Sequence, residues 1–280
     1  MQKKIAAVHD ISGFGRCALT TAIPVLSASG IQCCPVPSAV LSAHTAFQGV
    51  TFRDLTGDLE GFIRNWADIG VRLDGIYSGY LGSEQQIELV LLLKELCGKA
   101  DCRLIVDPVM GDNGKAYSIV GHAGFVEAMR GLCAAADIIT PNLTECALLL
   151  GMAPDGFSDT EEAAERYMRE LAELGPSQVV VTGLTKEDQV GAGYYDRLTG
   201  ESGFVFHAHV PVYYPGTGDL FTSVLTARLC GEQPCSLRHA VETAAYFVRD
   251  CAQYTQQQGS PAIEGVQFEK LIGRLIPEEA

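Results

Sequence analysis

A turn of small residues followed by an acid, Pro215-Gly216-Thr217-Gly218-Asp219, is the stretch of this sequence best suited to chemistry. Apolar residues recur at helical spacing after it, so the turn should lie at the N-terminus of a buried helix. The first amides of such a helix lack intrahelical partners and carry the positive end of its dipole. The two glycines would let these amides approach a phosphate, and Asp219 could take a proton from an attacking hydroxyl. The pattern favours phosphoryl transfer, although alone it also fits an ordinary glycine turn with Asp219 as a first-turn charge.

Polar residues also follow three other predicted strands. Asp10 ends the first strand, Asp107 with Asp112 follows a later one, and Asn142 with Glu145 follows another. Because an open α/β sheet binds its ligands at the carboxyl ends of its strands, we expect these residues to lie near the glycine turn. Carboxylates beside a nucleotide commonly hold Mg²⁺ through oxygens and waters, and Asp112 and Glu145 are the natural candidates. The alternatives are a turn cap at Asp107 and a first-turn helix charge at Glu145.

Alternating strands and helices are predicted along the whole chain. The expected strands are 3–10, 31–42, 73–77, 103–106, 137–140 and 178–182, with an antiparallel pair at 190–195 and 204–211. The expected helices are 17–29, 58–68, 84–97, 123–135, one from about 144, 158–174, one after 219, 237–254 and 266–275. This order predicts an α/β fold with a mostly parallel central sheet covered by helices on both faces. No break in composition is visible, so we expect a single domain over 1–280, in which 258–280 is a C-terminal helical extension.

The amino-acid composition limits the classes of partner and the cellular location that we expect for this protein. The 280 residues include 34 acidic and 20 basic ones, a formal charge of −14, which argues against nucleic acid or an anionic membrane surface as partner. No apolar run has the length of a membrane span, and Met1 to Lys4 leads into a strand instead of a signal peptide, so we expect a cytoplasmic protein. Ten cysteines without zinc-site spacing indicate core residues in a reducing compartment. Ala18 stands where a dinucleotide fingerprint needs its third glycine, which argues against NAD binding.

Several segments together resemble a known group of kinases. Those similar to the signature segments of the ribokinase-like superfamily are Gly216-Thr217-Gly218-Asp219, Thr140-Pro141-Asn142-Leu143-Thr144-Glu145 and Asp107-Pro108-Val109-Met110-Gly111-Asp112. Those that resemble its pyridoxal kinase branch are Ala43-His44-Thr45 and Ser78-Gly79-Tyr80-Leu81-Gly82. The resemblance implies a ribokinase-like fold and a kinase that uses ATP and Mg²⁺ to phosphorylate the 5′-hydroxymethyl group of pyridoxal, pyridoxine or pyridoxamine. It also suggests a homodimer with a contact at 31–47, and it leaves the need for a monovalent cation open.

The same resemblance implies a role for each matching residue. The catalytic group is expected to be Asp219, as general base, with the amides of Gly216, Thr217 and Gly218 stabilising the transferring phosphoryl group. The nucleotide is expected to contact Asn142, Thr182, Gly183, Thr217 and Gly218. Mg²⁺ and the triphosphate are expected to be ordered by Asp107, Asp112 and Glu145. The B6 vitamer is expected to contact Asp10, Ser12, Thr45, Tyr80 and, in a flap at 109–117, Tyr117.

Asp10 departs from the family pattern, because many members have a serine there. An acid could bind a protonated ring nitrogen, or the amine of pyridoxamine, more strongly than a serine would, and Ser12 could supply the missing hydroxyl. The nearest alternative is a hydroxymethylpyrimidine kinase of the same superfamily, but those enzymes usually have a cysteine where this chain has Asp219. A sugar or nucleoside kinase would carry an inserted lid that is not found here. A non-catalytic binding protein would lack the base or a metal ligand, and neither is missing.

Overall fold

The computed structural model describes residues 2–122 and 124–277 as eleven strands and eight α-helices. The strands are β1 Lys4–Ser12, β2 Gln32–Leu41, β3 Phe52–Asp54, β4 Leu73–Ser78, β5 Gly98–Val106, β6 Gly111–Asp112, β7 Lys115–Ala116, β8 Ile138–Ile139, β9 Gln178–Lys186, β10 Gln189–Asp196 and β11 Ser202–Ala208. The helices are α1 Ala18–Ala28, α2 Thr56–Asp68, α3 Glu84–Cys97, α4 Phe125–Ala134, α5 Leu143–Leu149, α6 Glu161–Ala172, α7 Thr217–Cys230 and α8 Leu237–Gln258.

Nine strands form one sheet in the order β11-β10-β9-β8-β5-β4-β1-β2-β3. The six strands from β9 to β2 in this order are parallel, while β3 at one edge and β10 and β11 at the other are antiparallel. The chain places β2 on one side of β1 and β4 on the other, so the strand order reverses between β1 and β4. Open α/β sheets bind their ligands in the crevice at such a reversal.

Helices cover both faces of this sheet. Successive residues of a strand point to opposite sides, so each strand contributes side chains to both cores. In β1, Ala6 and Val8 pack in the core formed with α2 to α6, whereas Ile5 and Ala7 pack in the core formed with α1, α7 and α8. Strands buried on both faces are apolar at nearly every position, which is why they show no alternation in the sequence. The predicted mostly parallel sheet with helices on both faces is confirmed.

The structure corrects three of the predicted elements. Gly183 does not close β9, because its positive φ of 74° lies in a bulge opposite β10 and the strand continues to Lys186. Thr160, not Ser158, caps α6 by accepting a hydrogen bond from the Ala163 amide. The expected helix at 266–275 is replaced by loop and a short 3₁₀ turn at Ile272–Leu275, because burial of Val266 and Phe268 anchors the segment in a non-helical path.

Some sequence predictions fall on residues outside the described ones. They concern Met1 in the N-terminal segment, Ala123 as the start of the fourth helix, and 278–280 within the C-terminal extension. All ten cysteines are free thiols and seven of them are buried, which confirms that they are chiefly core residues. Over residues 2–122 and 124–277, the structure contains no helix with the length and apolarity needed to cross a membrane.

Candidate active site

Asp219 lies in the first turn of α7, next to the reversal in strand order. Its side chain is only 19 % exposed, and His9 on β1 lies beside it, with 3.8 Å between His9 Nδ1 and Asp219 Oδ1. Burial raises the pKa of the Asp219 carboxyl to about 7; a hydrogen bond from the Ala18 amide lowers it, and the charge of Asp10 raises it further. A carboxylate that ionises near neutral pH is well suited to act as a general base.

The glycine turn before α7 has one crowded and one open position. Gly216 has a positive φ of 81°, and a Cβ added there would lie 2.0 Å from the Arg16 carbonyl oxygen, so a side chain does not fit. At Gly218 the nearest atom to such a Cβ is Asp107 Oδ2, 4.0 Å away. The turn is therefore packed against the chain entering α1, while the space beside Gly218 and Asp219 is free for a ligand.

The carboxyl end of β1 brings together three of the residues predicted to bind the vitamer. Ser12 Oγ donates a hydrogen bond to Asp10 Oδ2 at 2.9 Å. Tyr80 lies just after β4, and the pKa of its phenol is raised first by burial and then by the nearby charge of Asp10. Burial raises the pKa of Asp10 itself, and the Ser12 hydrogen bond offsets part of this rise. Thr45 is exposed in the loop after β2, where its neighbour His44 is anchored by a 2.7 Å contact with the Ile263 carbonyl.

Three of the residues predicted to contact the nucleotide lie where β8 ends and β9 has its bulge. Asn142 and Thr182 form an isolated parallel bridge, and Asn142 Nδ2 donates to the Gly111 carbonyl at 2.8 Å. This ties the end of β8 both to β9 and to the hairpin β6–β7. No atom lies within 4 Å of a Cβ placed on Gly183, whose positive φ turns the backbone at this edge. The arrangement leaves an open, polar surface beside the glycine turn.

Glu145 is one of the residues expected to order Mg²⁺, and both of its carboxylate oxygens accept main-chain hydrogen bonds. Its Oε1 accepts from the Met110 amide and its Oε2 from the Asn142 amide, both at 2.9 Å, while Asn142 Oδ1 accepts from the Glu145 amide at 3.0 Å. This is a capping box at the start of α5, which is the first-turn alternative stated above. Burial raises the pKa of Glu145 to about 7 despite these hydrogen bonds.

The other two residues predicted to order Mg²⁺, Asp107 and Asp112, differ in their burial and in their hydrogen bonds. Asp107 is buried, and burial followed by the charges of Glu145 and Asp219 raises its pKa well above the usual range. Asp112 lies in β6 and accepts hydrogen bonds from Asn113. Over residues 2–122 and 124–277 no group of three or more His, Cys, Asp or Glu side chains is placed to hold a metal ion.

Two further residues of this site were not predicted from the sequence. The Tyr213 hydroxyl donates to Asp112 Oδ2 at 3.2 Å, which joins the hairpin to the segment leading into α7 near the half-exposed Tyr117. Its only signal in the sequence is its position three residues before the Gly216 turn. His9 follows the apolar residues 5–8 of β1, and only the fold shows that it neighbours Asp219.

Comparison with known proteins gives a consistent result. A profile of the phosphomethylpyrimidine kinase family matches residues 61–265. A Bacteroides thetaiotaomicron protein assigned provisionally to the phosphomethylpyrimidine kinases is 40 % identical, with a TM-score of 0.93 over 100 % of this chain and 96 % of its own. A second crystal form of that protein, with pyridoxal, is 39 % identical, with a TM-score of 0.89 over 98 % of this chain and 96 % of its own.

Pyridoxal kinases are similar at lower identity. That of Lactobacillus plantarum has a TM-score of 0.89 and 27 % identity over 98 % of this chain and 97 % of its own. The pyridoxine/pyridoxal/pyridoxamine kinase of Bordetella bronchiseptica is 28 % identical over 91 % of this chain and 90 % of its own. The matches to these kinases extend over nearly the whole chain, and the range matched by the family profile includes the motifs at 107–112, 140–145 and 216–219. The chain therefore belongs to the phosphomethylpyrimidine kinase family, within the ribokinase-like superfamily.

Proposed function

We propose that this protein is an ATP-dependent kinase that phosphorylates the 5′-hydroxymethyl group of a B6 vitamer: pyridoxal, pyridoxine or pyridoxamine. The observation that carries the proposal is Asp219, a shielded carboxylate with a pKa of about 7 beside an open space at the N-terminus of α7. The Bacteroides relative with bound pyridoxal and the pyridoxal kinases similar over nearly the whole chain support this substrate class.

In the proposed reaction the vitamer ring lies against the end of β1. The Asp10 carboxylate, oriented by Ser12, accepts a hydrogen bond from the protonated ring nitrogen, and Tyr80 packs beside it. Thr45 and Tyr117 border the ring from the loop after β2 and from the flap. Asp219 accepts the proton of the hydroxymethyl group as its oxygen attacks the γ-phosphorus. The amides of Gly216, Thr217 and Gly218 stabilise the negative charge of the transferring phosphoryl group.

The nucleotide is proposed to lie along the end of β8 and the bulge of β9, against Asn142, Thr182 and Gly183, with its phosphates at Thr217 and Gly218. Mg²⁺ prefers oxygen ligands and often keeps several waters beside substrate phosphates, so it fits here as an ion that arrives with ATP. When bound, it would neutralise phosphate charge. Negative charge towards the ion comes from Asp107, Asp112 and Glu145. Both carboxylate oxygens of Glu145 already accept main-chain hydrogen bonds, so this residue acts chiefly by orienting the loop at Met110.

A hydroxymethylpyrimidine kinase is the second candidate function, favoured by the family profile over residues 61–265. Both substrates are heteroaromatic rings with a hydroxymethyl group, so the same base could serve either. The test is to rank pyridoxal, pyridoxine, pyridoxamine and hydroxymethylpyrimidine by kcat/KM with Mg-ATP. We expect a B6 vitamer to rank first. Preference for hydroxymethylpyrimidine would establish the second candidate, and binding without turnover of any substrate would indicate a non-catalytic binding protein.

Asp10→Ser is expected to change which vitamer is preferred. A hydrogen bond to a charged group contributes about 1.5–3 kcal/mol, so losing the carboxylate should lower kcat/KM for the vitamers bound through a protonated nitrogen by about tenfold or more. The measurement is kcat/KM for pyridoxal and pyridoxamine in wild type, Asp10→Ser and the isosteric Asp10→Asn. An unchanged ranking in both variants would show that Asp10 does not select the substrate.

The activity is expected to fall in acid. Asp219 must be ionised to accept a proton, and its raised pKa of about 7 means that kcat/KM should drop roughly tenfold per pH unit below that value and level off above it. The pKa of Asp10 is also raised by burial, so its protonation should cause a second fall of kcat/KM in acid, and Asp10→Asn should remove that second fall. The measurement is the pH dependence of kcat/KM from pH 5 to 9. A flat profile in wild type would contradict the assignment of Asp219 as base.

Three expectations from the sequence remain proposals. The first is a single domain over 1–280, and the second is a cytoplasmic location. The third is a homodimer with a contact within 31–47. Support for the dimer comes from the sheet edge, where Val40 on β2 and Phe52 on β3 are 44 % and 48 % exposed. Large apolar side chains on an exposed strand edge are typical of a surface that pairs with another chain.

A further inference from the structure

His9 is a fully buried histidine next to the proposed base. Its ring packs edge-on against Tyr77, with centroids 4.2 Å apart, and neither ring nitrogen has a hydrogen-bond partner among residues 2–122 and 124–277. Leaving a buried polar atom unpaired is unfavourable, and a leucine or phenylalanine would fill this space without that cost. The polarity of the imidazole therefore adds nothing to the stability of the structure as it stands.

The chain nevertheless keeps space for this ring. A Cβ on Gly79 would lie 2.2 Å from His9 Nδ1, so the glycine after β4 allows the imidazole to occupy its position. The Gly79 amide donates to the Val8 carbonyl at 3.0 Å, which holds the two strand ends together at the reversal in strand order. The packing directs Nδ1 towards Asp219, whose Oδ1 is 3.8 Å away.

None of the other titratable side chains around Asp219 is positively charged, and among residues 2–122 and 124–277 the Tyr77 hydroxyl is unpaired instead of donating to Asp219. The neighbouring titratable residues, each of which is neutral or negative, are Asp10 on β1, Cys17 before α1, Tyr77 on β4 and Asp107 after β5. The Ala18 amide is the main-chain donor to this carboxylate. His9 approaches Asp219 from β1 and is the neighbour able to donate an N–H to its other side.

We propose that His9 is a positioning residue for Asp219: with its proton on Nδ1, the imidazole donates a hydrogen bond to Asp219 Oδ1 once substrates are bound. This rests on the proposed function, in which Asp219 is the base. The bond would require the present 3.8 Å to shorten by about 1 Å, and hydrogen bonds in active sites often tighten only in the substrate complex. It would fix the rotamer of Asp219 and leave Oδ2 for the substrate hydroxyl. Burial lowers the pKa of His9 to about 3, so the imidazole stays neutral and does not itself take the proton.

The test compares His9→Leu with His9→Asn, whose side-chain amide keeps a donor near the position of Nδ1. With pyridoxal and Mg-ATP, His9→Leu is expected to lower kcat about tenfold with KM for both substrates unchanged, and its Tm should equal or exceed that of wild type. His9→Asn should recover most of the lost kcat. In an Asp219→Asn background, adding His9→Leu should cause no further loss of kcat, because the residue that His9 positions is gone.

Other outcomes would overturn the proposal. They are an unchanged kcat in His9→Leu, no recovery in His9→Asn, a fall in kcat that follows a fall in Tm, or an equal loss in the Asp219→Asn background. A failure of the proposed function looks different. Full turnover by Asp219→Asn alone would remove both the base and its positioning residue, whereas an inactive Asp219→Asn with a fully active His9→Leu would remove only the role of His9.

Discussion

Replacing Asp219 with alanine is expected to lower kcat by about 100-fold or more while vitamer and ATP binding remain nearly unchanged. Without the carboxylate, the proton of the attacking hydroxyl has no acceptor at the reaction centre. A 100-fold loss corresponds to about 2.7 kcal/mol of transition-state stabilisation. Binding should be retained because the proposed contacts to the ring and to the nucleotide come from other groups, chiefly Asp10, Asn142 and the amides of Thr217 and Gly218.

The measurement is steady-state kinetics of Asp219→Ala and Asp219→Asn together with the Kd of each ligand from calorimetry. Stability provides the control. Because the pKa of Asp219 is raised in the folded state, the folded protein holds this proton more tightly than the unfolded chain does, and this contribution to the free energy of unfolding is lost as pH rises through about 7. Asp219→Asn should therefore be at least as stable as wild type at pH 8. Full activity in the alanine variant would contradict the base assignment.

Much of the fold and several residues of the site were predictable from the sequence. Strands such as β1 and β9 are apolar because helices cover both faces, and polar residues at their ends mark where ligands bind in a parallel sheet. The glycine turn and Asp219 were predictable because the amides of a helix N-terminus, a left-handed glycine and a nearby acid have physical requirements that can be recognised locally.

Other features depend on contacts between distant residues. The spacing of Asn142 and Glu145 fits a capping box as well as a metal site, and only the structure shows that both carboxylate oxygens accept main-chain hydrogen bonds. Tyr213 binds Asp112 across 101 positions, and His9 meets Asp219 across even more, so neither pair leaves a local pattern. The C-terminal segment has apolar residues that suggest a helix, yet burial of Phe268 determines its path.

Gly216→Ala is expected to lower kcat by about 100-fold or more and to destabilise the protein by about 3 kcal/mol. The residue has a positive φ of 81°, which an alanine adopts only with strain, and the new Cβ would lie 2.0 Å from the Arg16 carbonyl oxygen. Because main chain occupies that position, the turn itself must move. Its movement would displace the first amides of α7 from the positions at which they are proposed to stabilise the transferring phosphoryl group.

Gly218→Ala is the matched variant, because it adds the same methyl group two residues away, where the backbone is helical. Its Cβ has only Asp107 Oδ2 nearby, at 4.0 Å, so Tm should stay at or above that of wild type. If a phosphate occupies this space, the methyl group should raise KM for ATP and lower kcat by about tenfold or more. Thermal unfolding and kinetics of the two variants separate damage to the turn from obstruction of the phosphate. A Gly218→Ala protein with normal kinetics would mean that the transferring phosphate does not approach this amide, and the proposed anion site would then have to be placed elsewhere.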